Sequence, residues 1–178
     1  NRHDSRLGHV AIAPDGLTAM TVSEDHRTIL WDLEGGHALA DWKSGGEYGC
    51  DRVFHGPAGW RKIALKGRVL LLWNERGELL REFPIPPTSL RSPLAVTPDG
   101  RMCLFPGSTN EKGTCLFAMD LLTGQIPKEF SCRQLSCLAV SPDGRRAYSG
   151  ERLDTATIGV WDLERGAVLM LNADAPAA

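Results

Sequence analysis

Four prolines, Pro14, Pro57, Pro98 and Pro142, recur at intervals of 43, 41 and 44 residues along the 178-residue chain. Each is followed two places later by a glycine: Gly16, Gly59, Gly100 and Gly144. The surrounding segments share one plan, VAIAPDG from Val10, VFHGPAG from Val53, LAVTPDG from Leu94 and LAVSPDG from Leu138. Proline holds φ near that of a turn and glycine accepts positive φ, so each segment reads as a strand ending in a tight turn. The 19 glycines and 11 prolines lie above usual shares of about 7% and 5%, a balance that suits many turns and disfavours a helical bundle.

Beyond each turn come a second apolar run, a polar loop, and a third run closing on a large residue followed by Asp or Asn. The closing pairs are Trp31-Asp32, Trp73-Asn74, Met119-Asp120 and Trp161-Asp162. A glycine follows each within a few residues (Gly35, Gly77, Gly124, Gly166), and a fourth run begins after it. The third runs, TILWD, VLLLWN, CLFAMD and TIGVWD, are apolar on both faces, as expected of strands sandwiched between neighbouring sheets. Four strands per repeat at this period predict an all-β fold: a β-propeller of four-stranded antiparallel blades, four of them present as a partial propeller. The blades are expected at approximately 3–43, 46–84, 87–130 and 131–171, within a single region 1–178, with 172–178 a flexible tail.

SPDG-type turns together with Trp-Asp at the end of the third strand resemble the WD-repeat family of β-propellers, over the span from about His3 to Leu171. The first and fourth repeats match well. The second has Ala58 and Asn74, and the third has Met119 in place of tryptophan. The resemblance implies a structural network of His3, Ser23, Asp25 and Trp31 in the first repeat, with Ser23 or Thr21 as the hydroxyl that links the ring to the indole. A buried His needs an acceptor, which the Asp would supply. The corresponding first positions of the other repeats are Gly46, Pro87 and Ser131, so those blades are expected to be held mainly by packing. The family usually has seven blades, so four suggest a fragment with open apolar blade faces at both ends.

A histidine, a carboxylate and a hydroxyl also make up a catalytic triad, but the family pattern makes this grouping a brace, and no G-x-S-x-G elbow is present. His9, His26, His37 and His55 lack paired metal-binding spacing. GSTNEKG from Gly107 lacks the order of a phosphate loop and reads as a long hairpin loop. No catalytic residue, cofactor-binding residue or metal ligand is therefore assigned, and no cofactor is expected. Arg61, Lys62, Lys66 and Arg68 form a basic stretch beside Trp60. Such a stretch could grip phosphate while the indole stacks on a base, yet on a strand and turn long basic side chains ordinarily extend into solvent. Trp42 and Trp60 lie outside the repeat's own tryptophan position and read as packing residues.

Function in a propeller resides on the loops of its rims. The loops between second and third strands contribute the candidate binding surface: Lys66, Asn110, Lys112 and Arg152, with Arg133 nearby between repeats. A formal charge of −2 removes the general electrostatic case for nucleic acid or an anionic membrane. Five cysteines without a CxxC pair fit reduced thiols in an intracellular protein, cytoplasmic or nuclear. The expectation is a non-catalytic WD-repeat scaffold that binds protein partners within a larger protein or complex, with self-association through open blade faces also available. The alternatives are a propeller-scaffold enzyme of lactonase-like or peptidase-associated type, and a weak RNA-binding platform near Arg61.

Overall fold

The computed structural model describes residues 3–44, 50–87, 93–109, 113–151, 157–166 and 168–172. All regular structure among them is β-strand, so no helix there is long and apolar enough to cross a membrane. The first sheet comprises β1 (Leu7–Ile12), β2 (Thr18–Ser23), β3 (Arg27–Asp32) and β4 (His37–Lys43). The second comprises β5 (Cys50–Gly56), β6 (Gly59–Lys66), β7 (Val69–Asn74) and β8 (Leu79–Pro84). Then follow β9 (Ala95–Val96), β10 (Met102–Thr109), β11 (Gly113–Asp120) and β12 (Lys128–Ser131), and finally β13 (Leu135–Val140), β14 (Arg146–Glu151), β15 (Thr157–Asp162) and β16 (Val168–Asn172). Each sheet is a four-stranded antiparallel meander in chain order. These are four blades of a β-propeller fold, and they fall into two compact units, Asn1–Ile85 and Pro86–Ala178, with two blades in each.

The turns form where the sequence places them. Gly16, Gly59, Gly100 and Gly144 all take positive φ, between 68° and 88°, and in the third and fourth blades the turn Asp accepts a hydrogen bond from the preceding Thr97 or Ser141 hydroxyl at 2.5 Å. The Asp or Asn of each closing pair caps the next turn. Asp32, Asn74, Asp120 and Asp162 accept backbone N–H groups through Oδ1 at 2.7–3.0 Å, so Asn74 performs the task as well as the carboxylates do. In the first blade Gly36, not Gly35, adopts the left-handed conformation. A Cβ on Gly35 would instead collide with Asp32 and His37.

Cross-strand register shows how blades meet. The closing residue of each third strand lies opposite Ala19, Lys62, Cys103 and Ala147 in turn. The residue three places before it lies opposite a large fourth-strand residue: Trp42, Phe83, Phe130 and Leu171. In unit 1, Trp42 of the first blade packs on Trp73 of the second, with centroids 6.4 Å apart. In unit 2, Phe130 packs edge-on against Trp161 at 5.6 Å. Trp42 therefore occupies a repeat position of its own, which the reading by Trp-Asp pairs passed over. The core between the first two blades contains Met20, Val22, Leu30, Val53 and Trp60. That between the last two contains Leu104, Leu116, Phe130, Ala147 and Trp161.

Lys62 is the exception to the small residues opposite the closing position. Rather than extending into solvent as expected of the basic stretch, it is fully buried between the first two blades. Its Nζ donates to Ser44 Oγ at 2.7 Å and to the His26 carbonyl at 3.3 Å. It also sits 5.2 Å and 5.3 Å from the ring centroids of Trp42 and Trp73. A buried ammonium is costly unless its protons find acceptors, and two oxygens and two indole faces supply that compensation. The second blade is thus held to the first by a polar lock as well as by packing. Lys62→Ala should cost unit 1 about 2–4 kcal/mol, because it opens a cavity between two indoles and takes from the Ser44 oxygen the ammonium it accepts from. Lys62→Met, which refills the volume, should recover at least half. Denaturant unfolding followed by tryptophan fluorescence measures both, and a loss below about 0.5 kcal/mol for the alanine variant would show that the lock contributes nothing.

Candidate interaction surface

The first blade brings His3, Ser23, Asp25 and Trp31 together through two hydroxyls. His3 Nδ1 lies 2.9 Å from Ser23 Oγ, and the Ser23 hydroxyl donates to Asp25 Oδ1. His3 Nε2 lies 2.6 Å from Thr21 Oγ1, which accepts the Trp31 indole N–H at 2.8 Å. Of the two hydroxyls expected to link ring and indole, Thr21 is the one that meets the indole. One neutral tautomer satisfies every group: Trp31 N–H donates to Thr21, Thr21 O–H to Nε2, Nδ1–H to Ser23, and Ser23 O–H to Asp25. Thr21 and Ser23 lie two apart on β2 and so project on one face. Of the other slots, the fourth blade keeps the indole contact, with Trp161 Nε1 donating to Ser149 Oγ at 2.9 Å. Met119 has no N–H to place, and Gly46 lies outside the described residues.

Burial, followed by the nearby Arg27 charge, lowers the pKa of His3, as the neutral relay requires. Asp25 is lowered to about 2, first by the Ser23 hydroxyl and further by the Arg27 backbone N–H and by Lys43. Around this brace Arg27 holds Asp41 bidentately at 2.6 Å and 2.9 Å and reaches Asp4 at 3.0 Å. Sequence pattern did not disclose a second histidine that matters. His9 Nδ1 accepts the backbone N–H of Val53 at 3.3 Å, tying β1 to β5, and burial followed by Arg52 lowers its pKa to about 4.

The candidate binding residues are distributed as follows. Lys66 is exposed at the end of β6, beside Gly67, in the turn to β7. Arg133 is exposed between β12 and β13 in the other unit. Asn110, Lys112 and Arg152 lie outside the described residues. The basic stretch near Arg61 does not form one surface patch: Lys62 is buried, Arg61 donates to Glu75 at 3.2 Å, and Lys66 and Arg68 remain exposed. Trp60 is 5% exposed, donating to Thr18 Oγ1 at 3.1 Å with its ring edge-on to His55, so its indole has no free face to offer a base. On the opposite rim of the third blade, a cleft of about 450 Å³ is lined by Arg101, Asp120, Thr123 and Gln125, where Arg101 Nε donates to Asp120 at 3.0 Å.

No protein-family model matches the chain, and no curated protein matches it. Among solved structures it is similar to hydrazine synthase of Kuenenia stuttgartiensis, with a TM-score of 0.69 and 14% identity. The match covers 94% of this chain and 54% of that chain, so the sequence spans about half the length of its structural neighbour. At that identity the likeness is one of fold.

Acid should weaken unit 1 in two stages. His3 and His9 bind protons more readily unfolded than folded, so the stability carried by their neutral forms is complete above pH 6.5 and declines below it, for His9 as pH falls toward about 4. Asp25 is lowered in the folded state, so its contribution is lost next, between its ordinary value of 3.8 and about 2. In urea unfolding across this range, His9→Gln should flatten the first stage by about 1 kcal/mol, a value discounted for the water that reaches the ring. An unchanged profile would remove His9 from the seam.

Proposed function

We propose that the chain is a WD-repeat-type scaffold without catalytic activity of its own, and that its rims bind protein partners within a larger assembly. The observation that carries this reading is the order of groups in the first blade. In a catalytic triad the imidazole stands between hydroxyl and carboxylate, so that it can take the hydroxyl proton. Here the Ser23 hydroxyl stands between His3 and Asp25 and donates to the carboxylate, and the Thr21 oxygen facing the other ring nitrogen is held by the Trp31 indole N–H, an arrangement that braces the strand. The WD-repeat assignment is supported by what the closing pairs do: Trp73 and Trp161 pack on the preceding blade while Asp32, Asp120 and Asp162 cap turns. A partner-binding role is supported by exposed apolar side chains at one rim of unit 1, where Leu17 and Leu33 are adjacent and Leu33 N–H donates to the Leu17 carbonyl at 2.9 Å. Five cysteines with no CxxC pair support a cytoplasmic or nuclear setting.

Quantitative affinity capture with the wild-type chain, Lys66→Glu plus Arg133→Glu, and Leu17→Glu plus Leu33→Glu tests the rims. All four side chains are exposed, so circular dichroism should be unchanged. At least one captured protein should fall about fivefold or more with one pair of substitutions, a loss of roughly 1 kcal/mol. Identical partner sets for all three proteins would overturn the rim reading.

A further inference from the structure

Three Asp-Gly pairs occur in the chain, Asp15-Gly16, Asp99-Gly100 and Asp143-Gly144, in the first turns of the first, third and fourth blades. The three turns share a backbone. In each the glycine takes positive φ, and its N–H donates to the carbonyl three places back, that of Ala13, Thr97 or Ser141, at 2.8–2.9 Å. In each the Asp Oδ1 accepts the N–H two places on at 2.9–3.0 Å, and all three aspartates are exposed. What differs is the residue before the proline. The Thr97 and Ser141 hydroxyls donate to the same Asp Oδ1 at 2.5 Å, and each oxygen also accepts the N–H that opens the next strand, from Met102 or Arg146. Ala13 has no hydroxyl. Asp15 is thus held by one hydrogen bond where Asp99 and Asp143 are held by two.

An aspartate followed by glycine is open to attack on its own side chain, because no Cβ shields the next nitrogen. We propose that Asp15-Gly16 is a site of spontaneous isomerisation to isoaspartate, and that the hydroxyl before the proline is what spares the other two turns. From the neutral carboxyl, the Gly16 nitrogen attacks Asp15 Cγ, an N–Cγ bond forms, and the amide proton and the carboxyl hydroxyl leave as water. Solvent water then opens the five-membered imide at the Asp15 main-chain carbonyl, breaking its bond to the Gly16 nitrogen, so the chain continues through the side-chain carbonyl. Mass is unchanged, and the main chain gains a methylene in the turn between β1 and β2. The step requires the carboxyl to leave the backbone N–H that it caps and to carry a proton. At Asp143 the Ser141 hydroxyl opposes both: it pins Oδ1, and it is the first cause of the lowered Asp143 pKa. Around Gly16 the ring has room to form, since a Cβ there would meet nothing within 4 Å. The site does not draw on the rim reading.

The test is to age the 178-residue chain at neutral pH and read each turn by peptide mapping with electron-transfer fragmentation, which separates isoaspartate from aspartate. Isoaspartate should accumulate at Asp15 about fivefold or more faster than at Asp99 or Asp143, the factor that one further hydrogen bond to a carboxylate supplies. Ala13→Ser should slow Asp15 by a similar factor, and Ser141→Ala should speed Asp143. The third and fourth blades already accept a hydroxyl at this position, and circular dichroism checks that both variants fold. In denaturing guanidinium the three rates should converge, since each site is then Pro-Asp-Gly without its turn. Equal rates in the folded chain would overturn the proposal. So would an Asp15 rate that Ala13→Ser leaves unchanged, or a preference for Asp15 that persists in denaturant.

Discussion

The stacking of one blade's fourth-strand aromatic on the next blade's closing tryptophan organises each unit. A single four-stranded meander has two apolar faces and cannot hide both, so it depends on a neighbour. Trp42 on Trp73 and Phe130 on Trp161 provide that neighbour at equivalent positions in the two units. The remaining seam features follow from this contact. The Trp161 ring packed between sheets leaves room for only a small residue opposite it, Ala147, and Ala19 and Cys103 are likewise small opposite Trp31 and Met119. Where the opposing residue is Lys62, the two indoles become the faces that hold its charge.

The repeats solve one problem in different ways. A closing-position indole N–H is costly to leave unpaired: the first blade pairs it with Thr21 and extends the relay to His3, Ser23 and Asp25, while the fourth pairs it with Ser149 alone. The third blade avoids the requirement with Met119. The second carries Lys62 against the ring, at a site where family resemblance pointed to apolar packing. Such variation is tolerated because the turn chemistry is separate from the seam chemistry. Asn74 caps its turn as the aspartates do, whatever lies beneath the ring beside it.

Much of the fold was legible because its determinants are local. Proline and glycine two places apart specify a turn from backbone sterics alone, and four copies at one period specify blades. The members of the first-blade brace could be named for the same reason, since β2 places Thr21 and Ser23 on one face. Which hydroxyl meets the indole could not be read, because both satisfy the spacing and only the register of Trp31 against Ala19 selects Thr21. His9 was equally hidden: nothing in its spacing shows that a backbone N–H from the next blade ends at its ring.

By itself the sequence determined the strand count, the turns, the repeat and the residues able to brace a blade, all of which depend on conformational preferences within a few residues. Only the tertiary structure decided what those side chains meet. It turned Lys62 from a surface cation into a buried lock and gave Trp42 a repeat position. Burial is a property of the neighbouring sheet and not of the residue, so one basic stretch contains both the sealed Lys62 and the exposed Lys66.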